Sequence, residues 1–119
     1  MPASFELENN GVGLIHVSGK VSVAEVQRLQ AECERVIQKN GNIKLLAILD
    51  GFQGWQQEQG WEDSTFAERN DPFIRKFAIV GDEKWRDLAY LFTLKGLRPV
   101  PIEYFDQGQV EEARAWLEL

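Results

Sequence analysis

The segment KLLAILDGFQGWQQEQGW, Lys44–Trp61, is the most informative part of this chain for its fold. Its first half contains five consecutive apolar residues, Leu45–Leu49. A β-strand that is covered on both faces has a continuous apolar sequence, whereas a half-exposed strand alternates. The run therefore predicts a central buried strand. That strand is expected to end at Asp50-Gly51, so that the Asp50 carboxylate and the aromatic loop that follows it lie at one edge of the sheet.

An N-terminal hairpin is predicted upstream of this strand. Phe5–Glu8 alternates between apolar and polar residues, which is typical of a short strand. Asn9-Asn10-Gly11 is a tight-turn sequence, because Asn and Gly tolerate the positive φ angles that hairpin turns require. Val12–Ser18 then forms the second strand, paired antiparallel to the first. The single histidine, His16, lies in this strand and is interpreted as structural.

The first helix has clear start and stop signals. Ser22 is a good N-cap residue, and Glu25 follows it at the spacing of a capping box. Gly41 occupies the usual position after a helix C-terminus. Cys33 falls on the apolar stripe of this helix and is interpreted as a small core residue; as the single cysteine it has no intramolecular disulfide partner.

The second half of the sequence continues to alternate between strands and helices. Arg75–Val80 predicts a fourth strand, and Asp82 is expected to cap a helix that runs to about Leu94 and ends near Gly96. Pro99–Tyr104 predicts a fifth strand, which its two prolines place at a sheet edge. The predicted inward residues of the third helix are Trp85, Leu88, Ala89 and Phe92; those of a last helix, capped by Asp106, are Val110, Ala113, Trp116 and Leu117.

These elements give the order β-β-α-β-α-β-α-β-α. Alternating units of this kind form a mostly parallel sheet with right-handed crossovers, and sequential strands tend to be neighbours. The sequence therefore predicts an α/β fold in one domain, residues 1–119. Its five-stranded sheet has strand order 1-2-3-4-5, an antiparallel N-terminal edge hairpin and four helices.

The loop after the third strand, residues 51–73, is the candidate binding region. It contains Gly51, Gly54 and Gly60 and is rich in aromatic residues. A short helix within it is expected to start at Asp63 or Ser64 and to end at Asn70-Asp71-Pro72. Three interpretations stay open: a fixed roof over the core, a mobile lid over an apolar pocket, or an anchor patch for a partner or second subunit. The candidate binding residues are Asp50, Phe52, Trp55, Trp61 and Phe66.

Composition and charge exclude several classes of function. The net charge of −6 argues against nucleic acid binding, which needs a basic surface. The charge is uneven, because residues 50–71 carry six acids and one base, whereas residues 72–98 carry six bases and three acids. The sequence contains no membrane span, no signal-peptide pattern and no metal-ligand spacing, so we expect a cytoplasmic chain without metal or cofactor. We also expect no enzyme, because no nucleophile–base pair or glycine-rich phosphate loop is present, although a carboxylate pair built on Asp50 was considered.

Three blocks of sequence carry a resemblance to a known family. They are ILDGFQGW (Ile48–Trp55), KFAIVGDEKW (Lys76–Trp85) and IEYFDQGQVEEARAWL (Ile102–Leu117). Over nearly its whole length, the chain resembles the SpoIIAA-like family, the group that contains the STAS-type anti-sigma-factor antagonists. It looks closest to the uncharacterised bacterial branch, which is also compared with the lipid-carrying CRAL-TRIO fold.

One departure from the family pattern concerns phosphorylation. In the phosphorylatable antagonists, a serine lies just after the aspartate that ends the third strand. Here Asp50 is followed by Gly51, Phe52 and Gln53, and the nearest hydroxyls are Ser64 and Thr65. The resemblance therefore implies the fold without the phosphoserine switch, and whether Ser64 or Thr65 is ever modified is left open.

Two functions follow as predictions. The first is a non-catalytic regulatory module that binds an unknown protein partner or a second copy of itself. The alternative is a carrier or sensor of a small apolar ligand or lipid, which requires an apolar cavity beneath Phe52, Trp61 and Phe66.

Overall fold

The computed structural model describes residues 3–119 as a five-stranded sheet with helices on both faces. Short 3-10 turns at Asp71–Phe73 and Glu83–Trp85 precede β4 and α3. The strands and helices are β1 Ala3–Leu7, β2 Val12–Val21, α1 Val23–Asn40, β3 Ile43–Trp55, α2 Thr65–Asn70, β4 Ile74–Val80, α3 Arg86–Thr93, β5 Ile102–Phe105 and α4 Val110–Glu118.

The sheet has the predicted strand order, β1-β2-β3-β4-β5. β1 pairs antiparallel to β2, and the remaining neighbours are parallel. The predicted topology is therefore confirmed. The central position of β3 explains its apolar sequence, because the strand is paired on both edges and covered on both faces.

The predicted signals at the two ends of α1 are confirmed. The Ser22 hydroxyl accepts a hydrogen bond from the Glu25 backbone N–H, and the Glu25 carboxylate accepts one from the Ser22 N–H. Gly41 ends the helix with a left-handed φ of 90°, which an L residue with a side chain rarely adopts. Two local signals thus fix an 18-residue helix over the sheet.

The third strand is longer than predicted, and this changes where the candidate loop begins. β3 continues past Asp50 to Trp55, because Phe52, Gly54 and Trp55 pair with β2. The register shifts twice along this pairing, which places extra residues on β3 in the manner of β-bulges. Gly51 and Gly54 have positive φ values of 64° and 102°, so glycine is what lets the strand absorb the extra residues. The connecting loop therefore starts after Trp55.

Three predicted boundary residues in the second half are wrong. α3 ends at Thr93, close to the predicted Leu94, but Leu94 and not Gly96 adopts the left-handed conformation that closes the helix. β5 starts at Ile102, after both prolines, because proline lacks the N–H that a strand ladder uses. Asp106 does not cap α4. Its carboxylate accepts from the Gln107 N–H in a turn, and the N-cap position is Gln109.

The predicted inward face of α3 is only partly right. Ala89 is buried as predicted, but Leu88 is 47% exposed and Thr93 is buried instead. The helix has only eight residues, and the side chains that it buries, Ala89 and Thr93, differ in part from the predicted set. By contrast, the α4 stripe is confirmed, since Ala113 and Leu117 are fully buried.

The helices cover the two faces of the sheet in different ways. On one face α4 lies on β4, with further contacts to β3 and β5. On the other face α1 lies mainly over β1, with further contacts to β2 and β3, while α3 contacts β5. This second arrangement leaves the area over β3 and β4 between the helices, and the candidate site lies there.

Candidate functional site: an apolar cavity over the central strands

A cavity of about 700 Å³ lies between the sheet and helices α1, α2 and α3. Its floor is formed by residues of the three interior strands, namely Ile15 and Val17 of β2, Leu45 and Ala47 of β3, and Phe77 and Ile79 of β4. Protein interiors rarely contain voids larger than a water molecule, whereas ligand pockets occupy about 300–1,000 Å³. The size of this cavity therefore corresponds to a ligand pocket.

An aromatic cluster closes one end of the cavity. Phe52 and Trp55 of β3 contact each other edge to face, with ring centroids 5.0 Å apart. Trp55 and Trp61 both contact Phe92 of α3, at centroid distances of 5.2 and 5.5 Å. Trp85 completes the cluster through contacts with Phe52 and Trp55. Such pairs contribute about 0.5–1.5 kcal/mol each beyond area burial, so this end of the cavity is firmly held.

The loop between β3 and α2 is fastened at two places. The Trp61 indole N–H donates to the Gln56 carbonyl at 2.8 Å. The Glu58 carboxylate accepts from the Val23 backbone N–H at the start of α1, at 3.1 Å. Gly60 lies against the Val23 side chain, where a Cβ would approach to 3.2 Å. These contacts favour the interpretation of the loop as a fixed wall over that of a freely moving lid.

The helix α2 is tied to α1 by a second set of contacts. The Arg69 guanidinium donates to both carboxylate oxygens of Glu34, at 2.7 and 2.8 Å. These hydrogen bonds hold the pKa of the Glu34 carboxyl below its usual range. Asn70 is buried and donates to the Phe66 carbonyl at 3.0 Å. Phe66 is thereby held where its ring lines the cavity.

The mouth of the cavity is bordered by exposed residues of two segments. Leu91 and Leu94, at the end of α3, are 69% and 44% exposed although both line the cavity. Leu94 has a φ of 57°, an unusual backbone conformation for a bulky residue. The facing segment contributes Glu62, Asp63 and Ser64, all exposed. The cavity therefore reaches solvent between α3 and the start of α2.

Hydrogen bonds within the protein already engage Arg98 and Asp63 of the cavity lining. The Arg98 guanidinium donates to both carboxylate oxygens of Asp71, at 2.6 and 3.0 Å, and to the Thr93 carbonyl at 3.1 Å. The Arg98 and Asp71 side chains are only 16% and 10% exposed. The Asp63 carboxylate accepts from the backbone N–H and the hydroxyl of Thr65, which lowers its pKa.

Cys33 lines the cavity from α1 and is buried, as predicted. Burial, with a smaller contribution from the neighbouring Glu34 charge, raises the pKa of the Cys33 thiol from 9.0 to about 12. A thiol with so high a pKa is a poor nucleophile, because the thiolate is the reactive form. Cys33 therefore acts as an apolar wall residue.

The structure brings together four of the five candidate binding residues. Phe52, Trp55, Trp61 and Phe66 all line the cavity. Asp50 does not: it is exposed, and it follows Leu49, whose side chain lines the cavity, so the alternation of the strand directs it away. Phe73, counted among the loop aromatics, is also exposed and lies outside the cavity lining.

Sequence reasoning missed the helical residues of the site. Phe92 was assigned to the core stripe of α3, and the lining residues Val23, Gln27 and Gln30 of α1 were not considered. An amphipathic pattern shows which helix face turns inward, but it does not show whether that face meets side chains or a cavity. The pairing of Arg98 with Asp71 could not be predicted from the sequence, because the two residues are 27 positions apart.

Two comparisons with known proteins bear on this arrangement. A family model described as SpoIIAA-like matches residues 12–118. The chain belongs to the SpoIIAA-like family. Among solved structures, it is similar to an uncharacterized protein of the DUF3478 family with a SpoIIAA-like fold from Shewanella loihica PV-4, at 16% identity and a TM-score of 0.69, covering 97% of this chain and 91% of that chain. No significant match was found among curated proteins.

The family assignment therefore confirms the resemblance and the fold. It names no ligand, partner or activity. In residues 3–119, no helix is long and apolar enough to cross a membrane. Over the same described range, no three His, Cys, Asp or Glu side chains are grouped so that they could hold a metal ion.

Proposed function

We propose that this SpoIIAA-like chain is a non-catalytic carrier or sensor of a small apolar ligand, bound in the cavity over β3 and β4. The observation that carries this proposal is the cavity itself, about 700 Å³ with a floor that includes Leu45, Ala47, Phe77 and Ile79. Apolar walls of this kind favour contact with an apolar molecule over contact with water.

The apolar walls of the cavity support a ligand. Because the cavity opens to solvent between α3 and the start of α2, water inside it lies against apolar side chains. A bound apolar ligand removes that apolar surface from water and stabilises the folded chain in proportion to its affinity.

The chemistry of the mouth favours binding over catalysis. A general acid needs a raised carboxyl pKa, and hydrogen bonds from Thr65 lower that of Asp63. The Cys33 thiol is held protonated by a pKa of about 12. Asp50, the carboxylate around which a hydrolase was considered, does not line the cavity.

A pair of substitutions on α3 tests the proposal. Ala89 is buried and lines the cavity, whereas its neighbour Leu88 is exposed and does not. Ala89→Phe places an aromatic ring in the cavity, and Leu88→Phe is the matched control. The probe is dodecanol, and the readouts are native mass spectrometry and tryptophan emission, since Trp55 and Trp61 line the cavity.

We expect the wild-type chain and Leu88→Phe to bind dodecanol with one-to-one stoichiometry and Ala89→Phe to bind at least about tenfold more weakly, a loss of about 1.4 kcal/mol. Circular dichroism verifies that each variant is folded. If Ala89→Phe does not fold, Ala47→Leu fills the floor with a smaller group. Absence of dodecanol binding by the wild-type chain, or equal binding by a folded cavity-filling variant, contradicts the proposal.

The protein-binding module stays a second candidate, and a different observation favours it. Leu88 and Leu91, which are three positions apart on α3, are exposed, as is Leu97 after the helix, and exposed apolar patches mark interaction sites. The predicted contact would then involve α3 rather than the loop. Leu91→Glu/Leu97→Glu is expected to abolish any self-association seen by analytical ultracentrifugation; a wild-type chain that sediments as a monomer at all concentrations would remove the self-association form of this candidate.

A further inference from the structure

We infer that the cavity selects ligands whose polar end is uncharged, such as a long-chain alcohol, over ligands that end in a carboxylate. This inference rests on the proposed function and specifies the ligand class of the same site. It follows from the charges around the cavity and from the partners that those charges already have.

Arg98 is the basic residue of the cavity lining, and its positive charge is already balanced by the Asp71 carboxylate. Two of its N–H groups are committed to Asp71 and a third to the Thr93 carbonyl. A bidentate pair between guanidinium and carboxylate is among the stronger protein hydrogen-bonding arrangements. A ligand carboxylate that displaced Asp71 would leave that side chain charged and unpaired in a site where it is only 10% exposed, which is strongly unfavourable.

Other bases near the mouth are also held by protein partners. Arg69 of α2 is paired with Glu34. Lys95 follows the rim residue Leu94 and donates to the Ile102 carbonyl and to Glu103. A carboxylate that enters at the mouth would therefore compete with an existing acceptor for each of these cations.

The mouth itself carries negative charge. Glu62 and Asp63 line the cavity at its exposed rim, and the lowered pKa of Asp63 keeps its carboxyl ionised at neutral pH. Like charges placed a few Å apart repel each other, and the repulsion is stronger beside a low-dielectric cavity than in water. An anionic end group would therefore meet repulsion as it approached the rim.

Neutral polar residues are also part of the cavity lining. Two of them, Gln27 and Gln30, come from α1. A side-chain amide both donates and accepts hydrogen bonds, so it matches an alcohol, an ester or a ketone without any change of charge. The lining thus combines an apolar chamber with neutral hydrogen-bonding groups and negative charge at the rim.

The test compares dodecanol with dodecanoate, which share the same chain and differ in the end group. Each is titrated into the full chain near neutral pH, with tryptophan emission and calorimetry as readouts. We expect dodecanol to bind at least about tenfold more tightly than dodecanoate, since a tenfold difference needs only about 1.4 kcal/mol. Equal binding, or tighter binding of dodecanoate, overturns this inference and leaves the proposed function intact. Absence of binding by both probes overturns the proposed function itself.

Two substitutions test the physical reason. Asp71→Asn removes the negative partner of Arg98 and is expected to raise dodecanoate affinity about tenfold, with little change for dodecanol. Glu62→Gln removes one exposed rim charge without touching the buried pair and is expected to raise dodecanoate affinity about threefold, so it serves as the test if Asp71→Asn fails to fold. The control is Glu111→Gln on α4, across the sheet. If neither Asp71→Asn nor Glu62→Gln raises the affinity for dodecanoate, the electrostatic explanation is contradicted.

Discussion

The two faces of the sheet are built from the same strands yet packed in different ways. On the α4 face, Leu46, Ala78, Ala113 and Leu117 are all at most 1% exposed and form one closed cluster. On the other face, Leu45, Ala47 and Ile79 are also buried, but they face a cavity of about 700 Å³. Low exposure alone therefore does not distinguish a packed core from the wall of a binding site.

The difference follows from the size of the side chains at the helix contacts. On the α4 face, Ala78 and Ala113 have short side chains, which let the helix lie close to β4, and both residues are fully buried. On the cavity face, α1 and α3 lie toward opposite edges of the sheet, and the rings of Trp55, Trp61 and Phe92 fill only one end of the space between them. One face therefore stabilises the fold, while the other provides room for a ligand.

The largest expected effect comes from two adjacent leucines. Leu46 and Leu45 are neighbours on β3 but point to opposite faces. Leu46→Ala is expected to lower the free energy of unfolding by about 3–5 kcal/mol, because it opens a hole in a packed cluster. Leu45→Ala is expected to cost about 2–3 kcal/mol, because it enlarges a cavity that already exists. Urea denaturation measures the free energy of unfolding of both variants. Equal decreases in the two variants would mean that the two faces are packed alike.

A smaller effect is expected when a small residue is enlarged on each face. Ala78 and Ala47 lie on the neighbouring central strands, one in the packed cluster and one in the cavity floor. Ala78→Leu is expected to cost about 1–3 kcal/mol by overpacking. Ala47→Leu should stay within about 1 kcal/mol of the wild type, because the cavity accepts the added atoms.

Thermal and urea unfolding measure the stability of the Ala78→Leu and Ala47→Leu variants. Ala47→Leu should also weaken dodecanol binding, whereas a folded Ala78→Leu should not. An Ala47→Leu variant that is as unstable as Ala78→Leu would show that the cavity floor has no spare room.

The smallest effect concerns an ion pair on the packed side. The Arg114 guanidinium of α4 donates to both oxygens of Glu8, at 2.8 and 2.9 Å, and holds the pKa of the Glu8 carboxyl below its ordinary value of 4.5. A lowered folded-state pKa contributes stability that is present above pH 4.5 and is lost as the pH falls through the folded value. Because both side chains are partly exposed, the contribution is expected to be about 0.5 kcal/mol.

Glu8→Gln should therefore reduce stability slightly at neutral pH and should make it less sensitive to acid below pH 4.5. Unfolding curves measured across this pH range give the comparison, with the α4 surface variant Glu111→Gln as control. A Glu8→Gln variant with the full acid sensitivity of the wild type would mean that the pair adds nothing to the packed face.

Local signals made most of the fold predictable. The Ser22–Glu25 capping box and Gly41 mark the two ends of α1. Each end was predictable because its hydrogen bonds join residues that are close in sequence. The apolar runs in β3 and β4 and the alternation of strands with helices were sufficient for the sheet order. The extension of β3 to Trp55 was not predictable in this way, because it depends on pairing with β2 residues more than 30 positions earlier.

The candidate site was predictable only in the part that comes from one continuous segment of the chain. Glycine-separated aromatics identified Phe52, Trp55, Trp61 and Phe66, which the structure gathers at one cavity. Asp50 was included because it follows the strand, but its side chain lies away from the cavity. The partners of these aromatics, above all Phe92, come from a helix whose position relative to the sheet no sequence pattern specifies.

By itself, the sequence determined the elements, their order and the parallel sheet, because these depend on residue periodicity, turn chemistry and caps within short segments. Only the tertiary structure decided that one apolar face is packed and the other encloses a cavity. Periodicity reports that a side chain avoids water, and water is avoided equally in a core and in an apolar cavity. The distance between the elements that supply those side chains makes the difference, and that distance is a property of the assembled fold.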